Sequence, residues 1–172
     1  MAIAPEKIVV EPGSGRVVSM PSTEAIFKVQ GDQTSGAFSI AEIVLQPGSF
    51  TPPHVHEKTD EVSYILEGEL GVMVAEEEFQ AAAGSFVVRP RGVPHALWNV
   101  SDRRVRLLDI YTPAGFELWF VELARLFSAT PPPTLEQLAE AGRRYDVILV
   151  PELVGPLMQK YGLQLPIPGS SS

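Results

Sequence analysis

The sequence contains three histidines, and two of them, His54 and His56, stand two residues apart. On a β-strand, residues i and i+2 point to the same face, so both imidazole rings can reach one point. The polar stretch 57–60 predicts a turn, which lets Glu61 begin the next strand facing inward. His95 follows a tight Pro-Arg-Gly turn and can arrive from a third strand. A lone histidine is more often a core residue than a ligand, so the prediction depends on the whole group. Together, the three imidazoles and the carboxylate predict a site for one divalent metal ion with nitrogen and oxygen ligands.

Composition limits the chemistry further. The 172 residues include no cysteine, which excludes a disulfide scaffold, a thiolate metal site and a cysteine nucleophile. A metal bound by imidazole and carboxylate is iron, nickel, manganese, cobalt or zinc. The net charge of −8 argues against nucleic acid and against an anionic membrane surface as partners. The sequence shows no signal peptide and no membrane-length apolar run, so we expect a cytoplasmic protein.

Short apolar runs separated by turn-forming residues fill the first two-thirds of the chain. Many short strands at this spacing predict a mainly β fold, a sandwich or a barrel. The predicted strands are 7–10, 16–20, 25–29, 37–45, 62–66, 71–74, 86–88 and 105–111.

The hydrophobic period changes after Pro113, where apolar residues recur every three or four positions. This period predicts an amphipathic helix over about residues 114–128. Its aromatic face could line a ligand site, but packing against the sheet or a partner subunit is the favoured interpretation. The residues of that face are Phe116, Trp119, Phe120, Leu123, Leu126 and Phe127.

Two further helical segments follow. Thr134 stands three residues before Gln137, which predicts a capping box and a helix that ends near Gly142. A weaker helical segment follows Pro151 and is expected to be interrupted at residues 155–156. The predicted organisation is a β-barrel over residues 1–113, a helical extension packed on it over 114–165, and a flexible tail over 166–172.

The residues around the candidate ligands resemble the two signature motifs of the cupin family. The positions that match at the family's spacing are Gly48, His54, His56, Glu61 and Gly68 in the first motif and Gly84, Pro90, Gly92, His95 and Asn99 in the second. The resemblance is strong over residues 48–99. It implies a cupin barrel, that is a double-stranded β-helix or jelly roll, followed here by C-terminal helices. It also implies that His54, His56, Glu61 and His95 are the metal ligands.

The pocket around the metal is expected to be apolar. If the histidines face inward, strand alternation turns Phe50, Ile65 and Leu97 inward as well, and Met73 is a further candidate wall residue. Such walls favour a flat or apolar small-molecule substrate over a sugar phosphate.

The charge of the site indicates which ligands it would accept. Three neutral imidazoles and one glutamate leave a divalent ion with a net charge of about +1 and with open positions, which favours enols, α-hydroxyketones or carboxylates. Glu61 is the candidate catalytic residue, either as a permanent ligand or as a base that leaves the metal to take a proton. No second base is evident within the barrel. Arg89 and Arg91 are expected to be solvated at the barrel rim.

The resemblance does not fix the reaction, because cupins host many activities. The extension that begins Gly115-Phe116-Glu117 looks like that of bacterial quercetinase-like monocupins, which implies a quercetin 2,3-dioxygenase-like enzyme acting on an enolic or flavonol-like molecule. The alternatives are a non-catalytic cupin that binds a small molecule or metal, and a non-redox isomerase or decarboxylase. A homodimer is expected, since small cupins generally dimerise.

Overall fold

Eleven short strands and three helices make up the part of the chain that the structure, a computed structural model, describes, namely residues 9–165. The strands are β1 (Arg16–Met20), β2 (Thr23–Val29), β3 (Ser39–Leu45), β4 (Phe50–Val55), β5 (Asp60–Glu67), β6 (Glu69–Val74), β7 (Glu77–Ala82), β8 (Phe86–Arg89), β9 (His95–Trp98), β10 (Val105–Thr112) and β11 (Ile148–Leu149). The helices are α1 (Leu118–Phe127), α2 (Leu135–Arg143) and α3 (Pro151–Tyr161), and a short 3₁₀ helix covers Gly31–Thr34.

The strands form two antiparallel sheets, as the mainly β prediction requires. The six-stranded sheet has the order β1-β2-β3-β10-β5-β8, and the five-stranded sheet has the order β11-β4-β9-β6-β7. Strands distant in sequence are neighbours in both sheets, which is typical of a jelly roll. One hydrophobic cluster fills the space between the sheets and continues under α1 and α2.

Alternation along the six-stranded sheet carries polar side chains into this interior. Burial alternates along β5, where Glu61, Ser63 and Ile65 face inward, and along β10, where Asp109 and Tyr111 do so. The register between β5 and β10 sets Ser63 opposite Asp109 and Glu61 opposite Tyr111. The six-stranded sheet therefore contributes a polar group to the interior, built across neighbouring strands.

The other sheet carries the histidines. His54 lies in β4 and faces His95, the first residue of β9, in the antiparallel register between the two strands. His56 follows the end of β4 directly. The register shifts between Thr51 and His54, so the alternation on the two sides of this irregularity is not continuous.

Most predicted strands are confirmed, with particular exceptions. Within the segment predicted at 7–10, residues 9 and 10 form no strand, and residues 7 and 8 lie outside the described range. Strands β4 and β9 were predicted only as the strands that carry the histidines, without bounds. Strands β7 and β11 were missed, because β7 is polar and largely exposed and β11 is only two residues long. The predicted tail at 166–172 also lies outside the described residues.

The helices follow the sequence signals with two corrections. The capping box of α2 is confirmed, since Thr134 Oγ1 accepts from the Gln137 N–H at 3.2 Å and the Gln137 side chain accepts in return. Helix α1 begins at Leu118 rather than near residue 114, because Gly115 has a φ of 128°, outside the helical region. The interruption expected at residues 155–156 is wrong. Both residues are exposed, so water can bind the carbonyl that Pro156 leaves without a backbone donor.

A second hydrophobic cluster lies between the five-stranded sheet and α3. It contains Phe50, Met73, Ala96, Trp98, Leu157 and Leu163. None of the helices within residues 9–165 is both long enough and apolar enough to cross a membrane.

Gly71 permits the close packing of Trp98, whose strand also carries His95. A Cβ atom at Gly71 would lie 2.0 Å from Trp98 Nε1, and Trp98 is fully buried. We expect Gly71→Ala to lower the free energy of unfolding by about 1–3 kcal/mol through overpacking, as measured by urea denaturation. Gly155→Ala is the matched control, because the added methyl would point into open space beyond its own helix backbone and alanine favours a helix. Equal stability of the two variants would contradict this packing.

Candidate metal centre

The three histidines converge inside the barrel. Their nearest ligand atoms all lie within 4.8 Å of one another, and all three side chains are buried. His54 comes from β4, His56 from the residue after it ends, and His95 from the start of β9. The alternation argument, which set His54 and His56 on one face, is therefore confirmed for this pair.

Backbone carbonyl groups fix the orientation of each imidazole. Every Nδ1 atom lies within hydrogen-bond distance of one carbonyl oxygen, which favours the tautomer with hydrogen on Nδ1 and a free lone pair on Nε2. The distances are 2.8 Å from His54 to Pro52, 2.6 Å from His56 to Asp146 and 3.0 Å from His95 to Val93. Within the described residues, the buried Nε2 atoms of His56 and His95 have no hydrogen-bond partner. These unpaired Nε2 lone pairs can bind a divalent metal ion. The histidines therefore fit the metal that the cupin motifs imply.

Glu61 lies beside two of the three histidines. Its Oε2 atom lies 3.2 Å from His95 Nε2, and its Oε1 atom lies 3.5 Å from His56 Nε2. The three histidines form one group, and the role of Glu61 as the fourth ligand stays a prediction. Burial opposes ionisation of this carboxyl, but Arg89, with His95 and His56, outweighs burial and holds the pKa of Glu61 below its usual range. Glu61 is therefore a carboxylate.

Arg89 corrects a prediction, because it is not solvated at the rim. It is 2% exposed, and its Nη1 atom lies 2.7 Å from Glu61 Oε2. The pairing of β8 with β5 sets Arg89 opposite Glu61 and turns its side chain into the barrel. Arg91, two residues later, is exposed as expected and is paired with Asp60.

A second buried carboxylate, Asp109, was also missed. Arg89 Nη2 donates to Asp109 Oδ1 at 2.6 Å, Ser63 Oγ donates to the same oxygen, and the Tyr111 hydroxyl donates to Oδ2 at 3.1 Å. Burial, together with the charge of Glu61, outweighs Arg89 and raises the pKa of Asp109. The barrel therefore contains a second buried carboxyl group that the sequence did not make evident.

The signal that could have found Asp109 lies in its own strand. Val105, Leu107 and Tyr111 alternate with less buried residues, and Asp109 shares their parity. Arg89 gives no comparable signal, because the short run 86–88 before it does not reveal which of its faces is inside.

An apolar cavity of about 150 Å³ opens beside His54. Its polar part includes His54, Glu61, Arg89, Asp109 and Tyr111. Its apolar part includes five of the six residues of the aromatic face predicted around α1, namely Phe116, Trp119, Phe120, Leu123 and Phe127, but not Leu126. The Phe116 ring lies 4.6 Å from the His56 ring, centroid to centroid. This face both packs on the barrel core and lines the cavity, so the two interpretations of it are compatible.

Of the four predicted wall residues, Leu97 and Phe50 line the cavity, whereas Ile65 and Met73 do not. The prediction that alternation turns Phe50 inward is wrong, because the register shift between Thr51 and His54 breaks the alternation, and Phe50 pairs with Trp98 and packs in the cluster under α3. Ile65 faces inward but is fully buried in the core. Met73 faces the other side of its sheet. It pairs with Ala96, which points away from the interior because its neighbour Leu97 points inward, and it packs in the cluster under α3.

A family profile described as "Cupin domain" matches residues 41–111, which contain all four candidate ligands. Residues 41–111 form a cupin domain. The cupin domain includes β3 to β10, apart from the first residues of β3 and the last of β10, and the described helices lie outside the match.

Similar sequences include plant proteins. Germin-like protein 3-5 of Oryza sativa is 30% identical over 113 residues, which cover 61% of this chain and 49% of that protein. Oxalate oxidase GF-3.8 of Triticum aestivum is 27% identical over 121 residues, which cover 66% of this chain and 53% of that protein. The chain thus spans about half the length of the curated relatives that it matches.

Solved structures share the fold at low sequence identity. A predicted oxalate decarboxylase from Thermotoga maritima is 23% identical, with a TM-score of 0.55 over 62% of this chain and 99% of that one. KdgF from Halomonas sp. is 16% identical, with a TM-score of 0.54 over 60% of this chain and 90% of that one. These likenesses show the fold alone. The resemblance of the extension to quercetinase-like monocupins stays a prediction.

The histidine group makes the stability of the metal-free protein depend on pH. Burial, reinforced by the neighbouring imidazoles, holds the pKa of His54 well below 6.5, and burial lowers that of His56 as well. The unfolded chain therefore binds more protons below pH 6.5 than the folded protein does. We expect the free energy of unfolding to be highest above that pH and to fall as the pH drops through it, by at most about 1.4 kcal/mol per pH unit for each histidine. Urea denaturation at pH 7.5, 6.5 and 5.5 measures this.

The control for this pH dependence is the double variant His54→Gln, His56→Gln. Its free energy of unfolding should fall less steeply over the same pH range, because the two titrating imidazoles are absent. The same slope in both proteins would show that other groups cause the loss.

Proposed function

We propose that this cupin is a metal-dependent dioxygenase that acts on a small enolic compound. The observation that carries the proposal is the position of the cavity, since His54 and Glu61 form part of a wall that otherwise consists largely of apolar and aromatic side chains. A substrate in this cavity would lie against the metal centre and away from bulk water. Enolic or flavonol-like molecules combine a flat apolar body with adjacent oxygen atoms, which matches both parts of the cavity.

His54, His56, His95 and Glu61 would hold one divalent ion, of iron, nickel, manganese, cobalt or zinc. When bound, the ion would polarise an enol oxygen and lower the pKa of its hydroxyl group. The backbone carbonyls at Nδ1 would keep the three imidazoles in the tautomer that binds it.

The size and polarity of the cavity restrict the substrate. Pockets for drug-sized ligands measure about 300–1,000 Å³, so a cavity of about 150 Å³ favours a one-ring or two-ring enol over a three-ring flavonol. Oxalate, which appears in the name of the wheat relative, is a small dianion. Within residues 9–165, the one Arg or Lys side chain that lines the cavity is Arg89, and it is already paired with two carboxylates. This arrangement favours a neutral or singly charged enol over oxalate.

The two buried carboxylates support different roles. Arg89 contacts Glu61 at 2.7 Å and restrains it beside the histidines, which favours Glu61 as a permanent ligand. Asp109 also lines the cavity, and its raised pKa suits it to receive the hydroxyl proton of the substrate and to hold it at Oδ2 beside Tyr111.

The same Asp109 favours a second candidate function, a non-redox isomerase or decarboxylase. A buried carboxyl with a raised pKa can transfer protons to and from a substrate without oxygen. A non-catalytic binding protein is the remaining alternative. The homodimer and the cytoplasmic location expected from the sequence stay predictions.

The ligand set can be tested by metal content alone. Protein loaded with Co²⁺ and then desalted should retain about one ion per chain. His56→Ala and Glu61→Ala should each lose most of this metal while their circular dichroism spectra stay unchanged. Glu67→Ala is the matched control, since Glu67 lies at the exposed end of the same strand as Glu61, and it should retain the metal. Full retention by His56→Ala would exclude the proposed site.

Oxygen uptake distinguishes the candidate functions. Protein loaded with iron, nickel, cobalt or manganese should consume oxygen with at least one member of a panel of small enediols, hydroxypyrones and flavonols. Asp109→Asn should lower turnover by roughly 10²–10⁴-fold, the usual contribution of general acid–base catalysis, with metal content unchanged. Asp102→Asn, an exposed position in the β9–β10 loop, should leave turnover unchanged. Metal-dependent turnover without oxygen would favour the non-redox enzyme, and ligand binding without turnover would favour the binding protein.

A further inference from the structure

Asp146 lies outside the cupin match, in the connection between α2 and β11, yet it contacts the segment that joins two candidate ligands. We propose that Asp146 is a positioning residue through which the C-terminal extension holds His56 and the following turn in the geometry that binds metal. The proposal rests on the proposed metal centre and adds to it a residue from the helical part of the chain.

The side chain of Asp146 caps the turn between His56 and Glu61. Its Oδ1 atom accepts from the backbone N–H of Glu57 at 3.0 Å. Its Oδ2 atom accepts from the N–H groups of Lys58 at 2.8 Å and Thr59 at 3.0 Å, and from the Thr59 hydroxyl at 3.1 Å. One carboxylate thus holds three consecutive backbone N–H groups of the turn.

The backbone of Asp146 acts on the histidine itself. Its carbonyl oxygen lies 2.6 Å from Nδ1 of His56, and it fixes the tautomer whose Nε2 atom faces the metal position. Asp146 has a φ of 63°, the left-handed conformation that Asp adopts more readily than most residues. In this conformation its carbonyl group reaches His56 while its carboxylate reaches the turn.

The residues after Asp146 fasten the same part of the barrel. In β11, Ile148 pairs with Val55 and Leu149 pairs with His54. The Val150 N–H donates to the Pro53 carbonyl at 2.9 Å. The extension therefore runs antiparallel to β4. Its contact begins at Asp146, beside His56 and the turn, passes His54 and reaches Pro53 at Val150.

The exposure of two of the three turn residues indicates that the Asp146 carboxylate positions the turn and is not needed for the protein to fold. Glu57 and Lys58 are exposed, so water can satisfy their N–H groups if the carboxylate is removed. The turn would then lose its fixed geometry, and of its three residues only Thr59, which is buried, would lose the acceptor of its N–H and hydroxyl groups without access to water. The expected result is weaker metal binding by a protein that still folds.

The test uses the full chain and Co²⁺ as the probe, with the dissociation constant measured by chelator competition. Asp146→Gly keeps the left-handed backbone available and removes the carboxylate, and it should raise the Kd by roughly 10–100-fold, the usual effect of losing an outer partner of the ligands. Asp146→Asn loses at least one of the acceptor contacts and should raise the Kd by a smaller factor. Asp102→Gly, at the exposed position in the β9–β10 loop, is the matched control and should leave the Kd unchanged.

A second readout in metal-free protein reports positioning directly. In Asp146→Gly, amide hydrogen exchange at residues 57–59 should accelerate. The nitrogen chemical shifts of His56 should also show loss of the pure Nδ1–H tautomer. A merely destabilised protein would accelerate exchange throughout the barrel instead, and that result would overturn the proposal.

The remaining outcomes are decisive as well. A wild-type Kd for Asp146→Gly, or an equal loss of affinity in Asp102→Gly, overturns the proposal. If Asp146→Gly does not fold, a raised Kd in Asp146→Asn supports it and an unchanged Kd overturns it. If the wild-type chain binds no Co²⁺, the proposed metal centre fails, but the exchange and tautomer measurements still decide whether Asp146 positions His56.

Discussion

A buried guanidinium group between two carboxylates organises the interior of this barrel. Arg89 lies 2.7 Å from Glu61 and 2.6 Å from Asp109, and all three side chains are almost fully buried. Removing one partner from such a group leaves an uncompensated charge in a medium of low polarity, which costs several kcal/mol. The three strands that carry these residues are therefore held in one register. The same interaction keeps Glu61 ionised beside the imidazoles, so the arrangement that stabilises the barrel also provides the negative charge of the metal centre.

The aromatic face beside this polar group gives it a particular environment. Phe116 lies against both His56 and Tyr111, and the side chains that follow it on α1 continue the apolar wall. Because these rings exclude water, charges on the barrel side interact more strongly than they would in solvent. The pKa of Glu61 is lowered and that of Asp109 is raised. Both carboxyl groups are buried in this environment, but histidines lower the pKa of Glu61 only, and the charge of Glu61 raises the pKa of Asp109. One cavity therefore contains a carboxylate that stays charged and a carboxyl that can hold a proton.

The sequence could predict those parts of the site that depend on local spacing. The separation of His54 from His56 and the turn before Glu61 are properties of a few adjacent residues, and strand alternation places them correctly. Arg89 and Asp109 depend on the pairing of β8, β5 and β10, which no short segment specifies. Met73 shows the same limit, because a strand's alternation says that residues share a face but not which face is inside. Asp146 was out of reach for a related reason, since 90 residues separate it from His56.

That separation also has a consequence for the order in which the protein is made. Residues 41–111, with all four candidate ligands, leave the ribosome before the connection that contains Asp146. A nascent chain at that stage already has the imidazoles and the carboxylate, but it lacks the carbonyl acceptor of His56 and the cap of the adjacent turn. If Asp146 sets the geometry of the centre, a partly synthesised chain retains metal poorly and exchanges it readily. The extension would then make stable metal acquisition a late event, coupled to completion of the fold.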